Sequence, residues 1–164
     1  MRGRFVLEAI GLTGVTLLAL ACSPVCGSSS ASSTNASCGS GGSAHRAYVV
    51  VEHGSGASIT RCVGFTAASI DGAAAMRLSG LQYQSRASAA AQAMCQIDNE
   101  PATFDRCFPL NQPYWALFVE SHRSWGPAPQ GYAEVRLGDG DALGWHYVAA
   151  GDPSPAPPPL PPAS

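Results

Sequence analysis

The sequence contains no lysine; all nine of its basic residues are arginine. Charged residues make up 12% of the 164, about half the usual share, and the formal net charge is −2. No basic field exists to attract nucleic acid or anionic lipid, so neither is expected as a partner of the folded part. Catalytic motifs are missing as well. There is no G-x-S-x-G elbow, no H-E-x-x-H pair and no glycine-rich phosphate loop. The four histidines, His45, His53, His122 and His146, lack metal-ligand spacing, so no metal and no cofactor is expected from the residues alone. His53 and His146 alternate with apolar residues and read as hydrogen-bonded sheet residues. Asp98, Glu100 and Asp105 crowd one loop, IDNEPATFD, but match no standard calcium loop and read as a solvated turn. With no catalytic constellation, the chain is not expected to be an enzyme.

What is present begins with an export signal. Arg2 and Arg4 form a positive start, and residues 10–21 are uncharged and apolar, shorter than the roughly 20 residues of a membrane span. The stretch ends Ala19-Leu20-Ala21-Cys22, which reads either as an A-x-A cleavage site or as a lipobox-like site with lipidation at Cys22. The expected organisation is a signal peptide over 1–21, a Ser/Gly-rich tether over 22–44, a folded domain over 45–149 and a Pro-rich disordered tail over 150–164. The product is either a cell-surface lipoprotein or a secreted protein. If it is lipidated, it meets the membrane only through that lipid.

The folded segment carries strand signals. Residues 46–53 (RAYVVVEH) and 58–65 (SITRCVGF) flank a Gly-Ser-Gly turn and predict a hairpin. Asp71 can cap a short helix that Gly80 ends. Residues 81–86 and 93–98 are further strand candidates, and the Ala-rich stretch between them reads alternatively as a second short helix. In QPYWALFVE (112–120), Tyr114, Ala116 and Phe118 fall on one face and Trp115, Leu117 and Val119 on the other, which predicts a strand buried on both sides. Residues 131–137 alternate, placing Ala133, Val135 and Leu137 inward and Tyr132, Glu134 and Arg136 outward. Residues 143–148 close the domain. The expected fold class is α+β, mostly β, with six or seven short strands and one short helix.

Six cysteines in an exported chain read as a disulfide framework. The expected pairs are Cys95–Cys107 and Cys38–Cys62, each worth roughly 3 kcal/mol in the chain-entropy picture. Cys26 is then odd if Cys22 carries lipid.

The string from AMCQIDNEPATFDRC through PYWALFVE and SWGPAPQGYAEVRLGDGDALGWHYV resembles secreted actinobacterial proteins related to the transcobalamin-like C-terminal domain. Asn99 stands where that pattern has Gly. The resemblance implies a β-grasp-like fold, disulfide-stapled, and the covering of a flat, cobalamin-like cofactor. In the cobalamin carriers the domain does this together with a larger helical domain. Two functions follow as expectations. The first is a surface small-molecule binding module in which Trp125, Tyr132 and Arg123 stack on a flat ligand or a sugar. The second is a structural or interaction module that contacts an envelope protein through the Pro-rich tail.

Overall fold

The computed structural model describes residues 38, 42–88 and 91–163. The expected signal peptide, Cys22 with its lipidation, Cys26 and most of the tether lie outside the described residues. The elements are β1 (His45–Glu52), β2 (Ser58–Phe65), β3 (Ile70–Asp71), α1 (Gly72–Ser79), β4 (Tyr83–Ala87), β5 (Gln92–Ile97), β6 (Tyr114–Ser121), β7 (Ser124–Pro127), β8 (Arg136–Leu137) and β9 (Ala142–Val148). The class is α+β and mostly β, as the strand signals indicated.

Five strands form the main sheet in the order β2-β1-β9-β6-β7. The β1–β2 hairpin pairs in register from His45–Phe65 to Glu52–Ser58. Its β1 strand runs parallel to β9, and β9 runs antiparallel to β6. Both β1 and β9 are apolar on successive residues, as strands covered on both faces must be. Two smaller ladders, β3–β8 and β4–β5, lie outside this sheet.

Helix α1 covers one face. Asp71 caps it by accepting from the Ala74 amide at 2.6 Å, and Gly80 ends it at φ 71°, a left-handed position suited to glycine. Val49, Val51, Val63, Met76, Leu143 and Trp145 meet in the core beneath it. The Trp145 indole donates to Met76 Sδ at 3.3 Å. The helix start sits close against the 132–135 turn: Gly72 N donates to Val135 O at 2.9 Å, and a Cβ on Gly72 would lie 2.1 Å from Tyr132 O.

The opposite face is also covered. Tyr48, Val50 and Ala142 form one patch there and Ala116, Phe118 and Val148 another, with Trp125 packed against both. Strand β6 thus has the two apolar faces its sequence predicts. Glu120 on this strand is 2% exposed, the only charged side chain buried among the described residues.

Two expectations need correction. Residues 131–137 are a strand only at Arg136–Leu137. The preceding residues form a turn, and Tyr132 points inward, 3% exposed in the core under α1. Its ring meets Trp145 edge to face at 5.6 Å. The C-terminal tail is the second: it is docked rather than solvated. Pro158 and Pro161 are buried and Pro155 half-buried. His146 Nδ1 contacts Ala156 O at 2.7 Å, and Arg123 Nη1 donates to Pro161 O at 2.7 Å. An uncharged, proline-rich strip has little desolvation cost and little backbone entropy to lose, so a sheet face can hold it.

Candidate functional site

The three residues expected to hold a ligand do not converge. Arg123 sits in the tight turn between β6 and β7 at φ 63°, with its guanidinium on the tail carbonyl of Pro161. Trp125 is on β7, a strand rather than a loop, and lies against the sheet over Gly144. Tyr132 belongs to the core on the other face of the sheet, its hydroxyl 3.1 Å from Ser85 Oγ. Burial pushes the Tyr132 phenol above its ordinary value of 10.0, with the Ser85 hydrogen bond opposing the shift.

A different place has the form of a site. The 98–113 loop, which immediately precedes β6, stands over the ends of β5, β6 and β9 and encloses a groove of about 470 Å³. Both disulfides expected from the spacing are formed, Cys95–Cys107 and Cys38–Cys62, and the first closes this loop onto β5. Other contacts hold the loop from below. The Trp115 indole donates to Glu100 O at 3.0 Å, and Gln96 Nε2 donates to Pro101 O at 2.7 Å. Arg86 stacks over the Phe104 ring at 5.1 Å while donating to Asp105 O at 3.0 Å. Asn99 takes a left-handed φ of 65°, which asparagine tolerates.

Aromatic rings wall the groove. Trp115 and Tyr147 meet at 5.0 Å, and Tyr114 lies 4.9 Å from Phe108. Leu110, on the groove wall, is left 87% exposed, and Phe108, outside the wall against Tyr114, 67%. Isolated exposed apolar residues are ordinary, but two close together just after Cys107, one of them on the wall of an aromatic groove, form a patch suited to an apolar ligand edge.

Against Trp115, outside the groove wall, His53 Nδ1 and Glu100 Oε2 are 2.6 Å apart, both partly buried. The same carboxylate oxygen accepts weakly from Gly54 N at 3.4 Å. Tyr147 is nearby, its phenol raised by burial and, second, by the Glu100 charge. His53 was expected to be a hydrogen-bonded sheet residue; it borders the end of β1 and carries that bond. The acidic cluster of the sequence does not act together. Glu100 goes to His53, whereas Asp98 accepts from Gln82 N at 3.3 Å. What sequence reasoning missed was the loop itself. Its signal was an apolar Phe-Pro-Leu run placed between a cysteine and the strongest strand.

The chain matches no family model, and no curated protein matches it. Its disulfides fit an exported or extracellular protein. Among the described residues, no helix is long and apolar enough to cross a membrane.

Proposed function

We propose that this chain is an exported, surface-associated module of the bacterial envelope that binds a small molecule, without catalysis, in the groove under the 98–113 loop. One observation carries the reading: a groove of about 470 Å³, walled by Phe104, Tyr114, Trp115 and Tyr147 and braced by a disulfide, with Leu110 bare at its mouth. That volume suits a ligand of ordinary organic size, and the wall, somewhat more polar than apolar, sets aromatic rings beside polar groups. The polar residues along it include Thr103, Asp105, Arg106 and Gln112. The chemistry fits a flat, partly apolar molecule with a polar edge, or a sugar stacked on the rings.

The resemblance to the transcobalamin-like C-terminal domain supports the same reading and keeps a cobalamin-like cofactor among the candidates. A β-grasp-like fold is supported by the sheet order, with the first and last strands parallel at its centre and one helix across it. An N-terminal signal and a lipid on Cys22 complete the proposal as the route to the surface. The alternative, a structural or protein-interaction module, draws its support from the docked tail instead.

The test is intrinsic tryptophan fluorescence of the full exported chain, titrated with flavin mononucleotide, haem, cobalamin and short oligosaccharides. Trp115 lines the groove and is the reporter. A saturable change that disappears in Leu110→Asp and survives in Trp125→Phe is expected. A folded chain that gives no change with any of these compounds would overturn the reading.

A further inference from the structure

The sheet face opposite α1 carries a second piece of recognition chemistry. Burial along the tail repeats every third residue: Pro155 half-buried, Pro158 and Pro161 buried, and every residue between them exposed. Three residues per turn is the period of a polyproline II helix, so the tail presents one edge of such a helix to the sheet. The receiving surface is built to match. Gly144 leaves a slot on β9 into which Trp125 and Pro158 both settle, since a Cβ there would lie 2.6 Å from Trp125 Cζ3 and 2.8 Å from Pro158 Cγ. His146 and Arg123 hold tail carbonyls on either side of this slot. An aromatic slot flanked by donors to backbone carbonyls is the general means of reading a polyproline II segment.

The fit in cis is incomplete. Trp125 Nε1 is buried and, among the described residues, has no hydrogen-bond partner. A buried indole N–H ordinarily finds an acceptor, and leaving it without one costs stability. A polyproline II helix turns a carbonyl toward its receptor at regular intervals, but this tail is tied to β9 through residues 149–154. That connection is folded on itself, Asp152 N donating to Ala149 O at 3.4 Å and Ser154 N to Asp152 Oδ1 at 2.9 Å. The tether fixes the register of the tail, and the fixed register leaves the indole unpaired. A free segment can slide to satisfy it.

We propose that this face is a receptor for proline-rich segments of partner proteins with proline at every third position, and that the chain's own tail is a built-in competitor for it. The inference is independent of the groove under the 98–113 loop. Occupancy by the tail lowers the apparent affinity for a partner by the fraction of molecules in which the face is free. A partner gains access by offering the carbonyl that the tail withholds.

The experiment uses full-length protein and a labelled synthetic peptide, PSPAPPPLPPA, the sequence of residues 153–163, read by fluorescence anisotropy. A control peptide has glycine in place of the prolines corresponding to 155, 158 and 161. Pro158→Asp releases the tail in the full chain and is expected to bind the peptide at least about tenfold more tightly than wild type. The glycine peptide should not bind. Trp125→Phe, introduced into the released chain, keeps the ring and removes the N–H, and should weaken binding severalfold. Pro161→Asp provides the same comparison should Pro158→Asp fail to fold. A folded, tail-released chain that does not bind the peptide overturns the proposal. So does a wild-type dimer by light scattering that becomes monomeric in Pro158→Asp, because the occupant would then be the tail of a second copy.

Discussion

Placing a single methyl on Gly144 tests whether the tail is part of the folded structure. The new carbon would stand 2.6 and 2.7 Å from Trp125 Cζ3 and Cη2, and 2.8 Å from Pro158 Cγ. Carbon atoms rest at roughly 3.5–4.0 Å, so ring and tail each have to withdraw by about 1 Å. Overpacking of this kind costs about 1–3 kcal/mol, and replacing Gly by Ala returns about 0.4–1 kcal/mol through the unfolded chain. The expected net loss for Gly144→Ala is therefore about 1–2 kcal/mol. For a domain of roughly 100 residues that is a fall in Tm of about 5–15 °C. Thermal unfolding followed by circular dichroism measures it. Pro158→Ala supplies the second arm: with the tail ring removed, part of the clash disappears, and the two substitutions should couple by at least about 0.5 kcal/mol. A Gly144→Ala chain as stable as wild type, with no coupling to Pro158, would refute the packing argument and leave the tail contacts without energetic weight.

Other outcomes follow from the same geometry. Gly72→Ala sets a Cβ 2.1 Å from the Tyr132 carbonyl, a backbone atom that cannot rotate away, so it should cost about 2 kcal/mol or more and reduce the yield of folded protein. Chemical denaturation of the refolded variant checks this, and a loss under about 0.5 kcal/mol would contradict it. Replacing Cys95 and Cys107 together by serine should cost about 3 kcal/mol and abolish any ligand response of the groove, while leaving peptide binding on the opposite sheet face intact. Loss of both activities in a folded double variant would mean that the two faces are not separate. Alkaline pH offers a further check. Because burial holds the Tyr132 phenol above 10.0, the native state keeps a proton that the unfolded chain has lost once the pH passes that value. Stability is then complete below pH 10 and declines as the pH climbs toward the raised value. Tyr132→Phe should flatten the decline in urea midpoints, and an unchanged slope would show that this phenol is not its source.

The strands of the main sheet could be read from the sequence because their side chains obey a period of two and their ends carry turn residues. The 58–65 return, the Asp71 cap and the two faces of 114–119 all followed from local chemistry. Tyr132 did not, because a turn that buries Tyr132 and Val135 mimics alternation over so short a stretch. The residue type gave no warning, since tyrosine suits either environment. The strand that carries Trp125 gives no sequence signal, because a four-residue edge strand has too few positions to show a period. The tail was discounted on composition, although its period of three was present in the prolines themselves. That pattern acquires meaning only with a receiving surface, and the surface is assembled from β6, β7 and β9, which no local reading joins. The groove under the 98–113 loop is of the same kind. Its residues were visible, but their convergence depends on pairings between distant strands.

The parallel pairing of β1 with β9 has a consequence for the order in which the molecule folds. Val49 bonds alongside Leu143, and Val51 alongside Trp145, so the centre of the sheet joins residues about 94 positions apart. No stable intermediate sheet is available to the first half of the chain, whose hairpin alone is marginal in water. A polypeptide made N-terminus first stays pliable until β9 is available, and then closes in one long-range event. The connectivity thus delays closure of the sheet, and β9 acts as its latch.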